Sequence, residues 1–380
     1  MKIGQFSDSF LPIVDGVGRV AYEYCRLLSK NNDVSIICPM NDMGNRGQYD
    51  FEIIDYYSKR LLINKQYELG LTVDPHYRRL LDMKHFDIVH VHTPFIAGIE
   101  GVIYAKQHHI PVIGTFHSKY YDDFLQITKS KHLAEFGTDA IVEFYNRCDE
   151  VWTVSKYAAK TLKSYGYKGK IQIVENGIDI TNISSKHTLT AKNKFKIDTG
   201  KPTLLYVGQI NWKKNIELII KACSLLSKNN IDYNLLLVGQ GPHEKDVIRK
   251  CKQLNIINNT ILTGPINDQD LLYGLYSLAD LFVFPSDYDT YSMVVREAAV
   301  ASTASVVLKN GAPSEPIKNG VNGFICNNNT NSLFNVLKNN ILDREKLKAI
   351  GLEAKNTIPV SWDLIIKDVE DRYKKLISNY

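Results

Sequence analysis

Phe284-Pro-Ser-Asp-Tyr-Asp-Thr-Tyr-Ser-Met-Val-Val-Arg-Glu-Ala-Ala-Val-Ala-Ser302 is the stretch on which the reading of this chain turns. The apolar run from Ala279 to Phe284 enters it as a buried strand, and the small residues beyond the loop form a helix. A strand-loop-helix unit sets backbone N–H groups and the positive end of a helix dipole at the carboxyl edge of a sheet, where an anion can be held without a metal. Asp289 in the loop and Glu297 in the helix add two carboxylates eight residues apart. Amides suit phosphate and carboxylates suit hydroxyls, so the segment points to a sugar nucleotide.

Outward from this stretch the chain alternates strands and helices in two runs. The first begins at Lys2–Phe6, with a polar loop to Gly18, a helix from about Arg19 to Lys30 and a strand at Asp33–Cys38. The second restarts at Pro202–Gly208 and continues through strands at Asn234, Thr260 and Ser305. Two such runs predict an α/β protein with two Rossmann-like domains. Residues 41–85 are polar, tyrosine-rich and weakly periodic, and read as a variable surface excursion; residues 181–201 are polar and Lys-rich, and read as a linker. The amphipathic C-terminus, Trp362 to Ile377, is a further helix.

At 380 residues the chain has room for two full cores, and 44% hydrophobic with 23% charged residues is ordinary globular composition. The net charge of +5 has no basic tail or half behind it, which argues against nucleic acid. Six cysteines without C-x-x-C spacing read as small hydrophobes in a reducing cytosol. Met1 leads within two residues into a strand, leaving no room for a signal peptide, and no apolar run approaches the ~20 residues of a spanning helix. The expectation is a cytoplasmic protein whose contact with a membrane is peripheral.

Candidate ligand contacts fall at the ends of predicted strands. Gly16, Val17 and Gly18 precede the first helix, where a backbone can approach a phosphate, although G-x-G-x-x-G is absent and this counts against a dehydrogenase. His117 follows the strand Ile110–Phe116. His90 and His92 are weaker candidates, on the reading that a strand alternates faces and only one side can meet a ligand. Lys119–Leu125 and Lys129–His132 combine aromatic and basic residues and read equally as an acceptor or membrane-facing patch and as a solvated helix. Asp287-Tyr-Asp289 is formally D-x-D, but it overlaps the segment read for amides and hydroxyls, and no metal is expected.

Several segments together resemble the retaining glycosyltransferases of the GT-B fold, family 4. P-S-x-x-E-x(7)-E-A is met by Pro285, Ser286, Asp289, Glu297 and Ala298, with Asp in place of the first Glu. Thr115-Phe-His117 matches T-x-H, Asn176-Gly-Ile-Asp179 matches N-G-[IV]-D, and Glu315 to Gly323 matches E-x-[IV]-x-[DN]-G-x-x-G. G-R-x(4)-K is met by Gly208 and Lys214, with Gln209 in place of Arg. An amide lacks the charge and two-pronged fork of a guanidinium, so weaker diphosphate binding or compensation by Arg19 or Lys213 is expected; Lys213 is not expected to share the side of Lys214.

The resemblance implies two Rossmann-like domains facing an interdomain cleft. Residues 1–180 form the acceptor side, residues 181–361 bind the nucleotide sugar, and a helix at about 362–380 packs back on the first domain. It implies that His117 and Asp289 contact the donor sugar and that Glu297 holds the ribose. Gly16, Val17, Gly18, Gln209, Lys214 and the amides of Thr290, Tyr291, Ser292 and Met293 meet the diphosphate, and the main chain at Pro265 and Ile266 reads the base. The implied reaction is metal-independent transfer with retention, without a cofactor, from UDP-sugar first and GDP-sugar second. The acceptor implied is a lipid or lipid-linked glycan of the bacterial envelope, through resemblance of residues 119–132 to diacylglycerol glucosyltransferases, with association at the inner face of the membrane. A soluble sugar acceptor is the runner-up. The Gln209 and Asp289 departures keep open a weakly catalytic sugar-nucleotide-binding partner subunit, and a hydrolase or epimerase is a third class.

Overall fold

Short runs of branched and aromatic residues, each followed by an amphipathic segment, fold here into parallel strands linked by helices. The structure is a computed structural model that describes residues 1–11, 15–40, 48–60, 68–70, 72 and 74–380. The chain divides into two compact units, Met1–Gly177 with Trp362–Tyr380, and Ile178–Ser361.

The first unit runs β1 (Lys2–Phe6), α1 (Gly16–Leu28), β2 (Asp33–Met40), β3 (Glu52–Arg60), β4 (Glu68–Gly70), α2 (Pro75–Asp82), β5 (Ile88–Val91), α3 (Ile96–His108), β6 (Val112–Phe116), α4 (Tyr120–Thr128), α5 (Lys131–Asn146), β7 (Glu150–Thr153), α6 (Lys156–Ser164) and β8 (Gln172–Ile173). Its sheet has the order β4-β3-β2-β1-β5-β6-β7-β8, parallel except for the β3–β4 pair. The order reverses between β1 and β5, the kind of switch point at which ligands bind beyond the carboxyl ends of strands. β1, β5 and β6 are buried along most of their length, as strands covered by helices on both faces must be.

The second unit runs α7 (Ser185–Phe195), β9 (Thr203–Val207), α8 (Ile216–Lys228), β10 (Asn234–Val238), α9 (Glu244–Gln253), β11 (Thr260–Gly264), α10 (Gln269–Leu278), β12 (Leu281–Phe284), α11 (Met293–Val300), β13 (Ser305–Leu308), β14 (Phe324–Cys326), α12 (Thr330–Asn340) and α13 (Arg344–Thr357). Its parallel sheet is ordered β11-β10-β9-β12-β13-β14, with the switch point between β9 and β12. Leu204, Leu205, Leu235, Leu236, Phe282 and Val306 on the inner strands are fully buried. Each such side chain stabilises the fold by about 1.5–3 kcal/mol relative to exposure.

The last helix, α14 (Trp362–Ser378), belongs to the first unit. Trp362, Ile366, Val369 and Tyr373 recur at helical spacing and are all buried, in a core with Ile3, Tyr24 and Trp152. Gly177 makes the approach possible, since a Cβ there would lie 2.4 Å from the Trp362 Cα.

Two expectations are corrected. Residues 41–85 are not merely a surface excursion: β3 pairs with β2 and buries Ile54 and Tyr56, while the exposed Tyr57 between its inward residues masks the strand alternation. Residues 181–201 are not a plain linker, because they hold α7, which buries Ala191 and lies against α10. The contact is close enough that a Cβ on Gly274 would stand 2.3 Å from the His187 carbonyl oxygen.

Candidate functional site

In the second unit the two strands at the switch point feed the two loops that carry the strongest sequence candidates. β9 leads through the half-buried Gly208 and the exposed Gln209 into a 3-10 turn at Trp212–Lys214, held by the Asn211 side chain accepting from Lys213 N at 3.1 Å. β12 leads through Pro285 and Ser286 to Asp289. The loops meet: Lys214 Nζ donates to Asp289 Oδ1 at 2.8 Å, and the Ser286 hydroxyl donates to the other Asp289 oxygen. Both members of the ion pair are partly exposed. Lys213 and Lys214 both overlie the Tyr288 ring, their Nζ atoms 4.6 and 5.2 Å from its centroid. Lys213 therefore does share the side of Lys214, because a long, flexible lysine stem lets the ammonium of either neighbour reach the one ring whatever the direction of its Cβ.

Thr290, Tyr291, Ser292 and Met293 form the entry to α11, with Ser292 as its N-cap. Ser292 is left-handed, at φ 64° and ψ 72°, and its side chain does not cap the helix. One residue before Glu297, Arg296 turns back to this entry and donates from Nη1 to the Tyr291 carbonyl at 2.7 Å. Glu297 is buried and accepts from the Tyr276 hydroxyl at 2.9 Å; the Tyr276 carbonyl accepts from Thr303 Oγ1 at 2.6 Å. Pro265 is exposed and Ile266 half-buried just past β11, two strands from β9. Among the described residues, no three His, Cys, Asp or Glu side chains cluster as metal ligands. Asp287 of the D-x-D is exposed and accepts from Asn328 Nδ2 at 3.4 Å.

In the first unit, His117 follows β6 and His92 follows β5. His90 and His92 stack with ring centroids 4.4 Å apart, and His92 and His117 with centroids 5.7 Å apart. The two strand histidines thus share a face, as residues two apart do. Burial holds all three pKa values below the usual histidine range, that of His117 down to about 3. They are neutral imidazoles at physiological pH. His92 Nε2 donates to Gln5 Oε1 at 2.7 Å, and Gln5 Nε2 donates to the Tyr373 hydroxyl at 3.2 Å. Tyr373 in turn bonds His90 Nδ1, leaving His90 Nε2–H for Thr115 Oγ1 at 2.7 Å.

Gly16, Val17 and Gly18 lie in the first turn of α1, not in a loop before it. Asp15 caps that turn, its Oδ1 accepting from Gly18 N at 2.7 Å and its Oδ2 from the Ser9 hydroxyl at 2.6 Å, so the Gly18 amide already has a carboxylate.

Sequence reasoning missed Asp8, Tyr276, Arg296 and Tyr373. Asp8, beyond β1, accepts from Thr93 Oγ1 at 2.6 Å, Ala97 N at 2.9 Å and Tyr56 Oη at 3.1 Å, closing the β1–β5 switch point and capping α3 from outside. Burial raises its pKa and these hydrogen bonds oppose the rise. A polar residue two past a first strand was the available signal for Asp8; nothing in local spacing marks the other three.

The family model for glycosyltransferase family 4 matches residues 14–182, and that for glycosyl transferases group 1 matches residues 188–357. The alpha-monoglucosyldiacylglycerol synthase of Streptococcus pneumoniae is 26% identical over 337 residues, covering 82% of this chain and 72% of its own. The synthase of the same name from Acholeplasma laidlawii is 25% identical over 401 residues, covering 99% of this chain and 98% of its own. In three dimensions the Anabaena protein HepE, in complex with UDP and glucose, superposes with a TM-score of 0.78 at 16% identity over 98% of this chain and 99% of that one, a likeness of fold. Carrying a family 4 domain in its first half and a group 1 domain in its second, the chain belongs to the glycosyltransferases of the GT-B fold.

Proposed function

We propose that the protein transfers a sugar, with retention of anomeric configuration and without a metal, from a nucleotide diphosphate sugar, UDP-sugar first, to a lipid or lipid-linked acceptor. The observation that carries this reading is the convergence of Lys214 and Asp289 beside the entry of α11. An ammonium has three donors, so Lys214 can hold Asp289 and still meet a phosphate oxygen. The bond between the anomeric carbon and the diphosphate oxygen breaks, and its electron pair leaves with the nucleotide. The acceptor oxygen bonds the same face of that carbon, and its proton passes to the departing phosphate. Lys214, the amides of residues 290–293 and the dipole of α11 meet the charge that develops. Asp289 and His117 are assigned to the donor sugar, Glu297 to the ribose, and Pro265 and Ile266 to the base. His117, neutral, serves as a hydrogen-bonding group and not as a cation.

Supporting a lipid acceptor, Phe136 on α5 is 75% exposed, with Leu133 and Ile127 also exposed beside Lys129, Lys131 and His132. Apolar tips beside Lys129 and Lys131, with Glu135 facing His132, suit the surface of an anionic bilayer. No helix among the described residues is long and apolar enough to cross a membrane.

Calorimetry with UDP, GDP and ADP, each with and without EDTA, on wild type and Glu297→Ala tests the donor assignment. The expected result is one nucleotide that binds equally well with EDTA and loses at least about tenfold in affinity in the variant. Binding that requires a divalent ion, or no binding, overturns it. Sedimentation with vesicles of anionic or zwitterionic lipid, on wild type and Phe136→Ser, tests the membrane contact; equal binding to both vesicle types by both proteins overturns it.

A further inference from the structure

Arg296 is a cation only 4% exposed, in a helix otherwise built of apolar residues and Glu297. A guanidinium is costly to bury unless its donors are used. Here Nη1 lies 2.7 Å from the Tyr291 carbonyl oxygen and 3.5 Å from that of Ser292, and the guanidinium carbon stands 3.5 Å from the Tyr291 ring centroid. All of these contacts are to the loop that enters α11. In a trans peptide the C=O and N–H point opposite ways. Drawing the Tyr291 carbonyl onto Arg296 therefore turns the Ser292 N–H away from it, while the Ser292 carbonyl accepts from Val295 N at 3.2 Å within the helix.

Two further observations mark the same spot. Ser292 holds a left-handed conformation that costs a non-glycine residue energy and persists only where surroundings enforce it. Its hydroxyl, in a residue 6% exposed, has no hydrogen-bond partner among the described residues, although a serine at an N-cap ordinarily accepts from the first turn. The opening amides of α11 also have no acceptor within the helix.

We propose that Arg296 is a positioning residue for a diphosphate anion at the entry of α11, holding the Tyr291 carbonyl inward so that the Ser292 amide and hydroxyl are presented to the ligand beside the opening amides of the helix. The inference rests on the reading of this entry as the donor diphosphate site.

Titration of wild type, Arg296→Lys and Arg296→Met with UDP by calorimetry, and with uridine by NMR, tests this. Arg296→Met is expected to weaken UDP about 10- to 100-fold while uridine changes by no more than about twofold, since only the diphosphate uses the aimed amide. Arg296→Lys keeps the charge without the planar fork and is expected to weaken UDP selectively by about threefold or more, which carries the comparison if Arg296→Met does not fold. An equal loss for UDP and uridine, or no loss for either, overturns the positioning role and leaves the donor reading standing. A wild type that binds UDP no more tightly than uridine overturns both.

Discussion

Lys214 and Asp289, 75 residues apart in sequence, are joined by a 2.8 Å ion pair across the switch point of the second sheet. The aspartate is shorter by one methylene than the glutamate of the motif it resembles, and the pair with Lys214 and the Ser286 hydroxyl uses both of its oxygens. Asp289→Glu is expected to lower kcat/KM about tenfold, because the longer side chain cannot keep both contacts. Lys214→Ala is expected to lower kcat by about 100-fold or more, in the range found for loss of one group that stabilises transition-state charge. Steady-state rates with the donor nucleotide sugar check both; a gain in activity for Asp289→Glu contradicts the first.

Tyr276 orients Glu297 through one buried hydrogen bond. Tyr276→Phe keeps the ring and removes the donor. Stability should fall by about 1 kcal/mol, and more if the carboxylate is left unsatisfied, while nucleotide affinity drops about three- to tenfold. Urea unfolding and calorimetry separate the two effects; unchanged affinity detaches Glu297 from the nucleotide.

The histidine stack sets a pH dependence. His90, His92 and His117 have folded pKa values below their unfolded value near 6.5, that of His117 at about 3. Between those limits the unfolded chain binds more protons than the folded one, so stability is fully present above pH 6.5 and is lost as pH falls. The slope is about 1.4 kcal/mol per pH unit for each histidine that stays neutral. Urea midpoints from pH 7.5 to 5 should fall accordingly, and replacing His117 with Gln should make the fall shallower. His117 itself should contribute no ionisation to kcat between pH 5.5 and 8.

Tyr373 reaches the stack from the last helix, through His90 and Gln5. Tyr373→Phe should cost about 1–3 kcal/mol, since two buried groups lose a partner. It should also release His90 from its single tautomer, seen as a change in the imidazole nitrogen shifts. A variant with unchanged shifts shows that Thr115 alone fixes the ring.

The candidate residues were legible because they follow strand ends at fixed spacing. His117 after β6, Lys214 after β9, and Asp289 with Glu297 around the entry of α11 are local features, and a strand-loop-helix unit displays them whatever surrounds it. Arg296 was not legible, since an arginine in a helix reads as a solvated side chain until its burial is known. The α1 glycines were misplaced by a turn, because Asp15 as N-cap starts the helix before them. The helix α7 was hidden in a polar segment whose few apolar residues acquire a core only beside α10.

The sequence by itself determined the two runs of strands and helices, the amphipathic last helix, and the positions of the ligand-type residues, because hydrophobic period and motif spacing are properties of neighbouring residues. Only the tertiary structure decided which of those residues meet. The Lys214–Asp289 pair, the Tyr276–Glu297 bond and the contact between Tyr373 and His90, 283 residues apart, arise from sheet order and helix packing. Burial likewise decided the charge of the histidines, since desolvation depends on what surrounds a group in space and leaves no mark on the residues beside it in the chain.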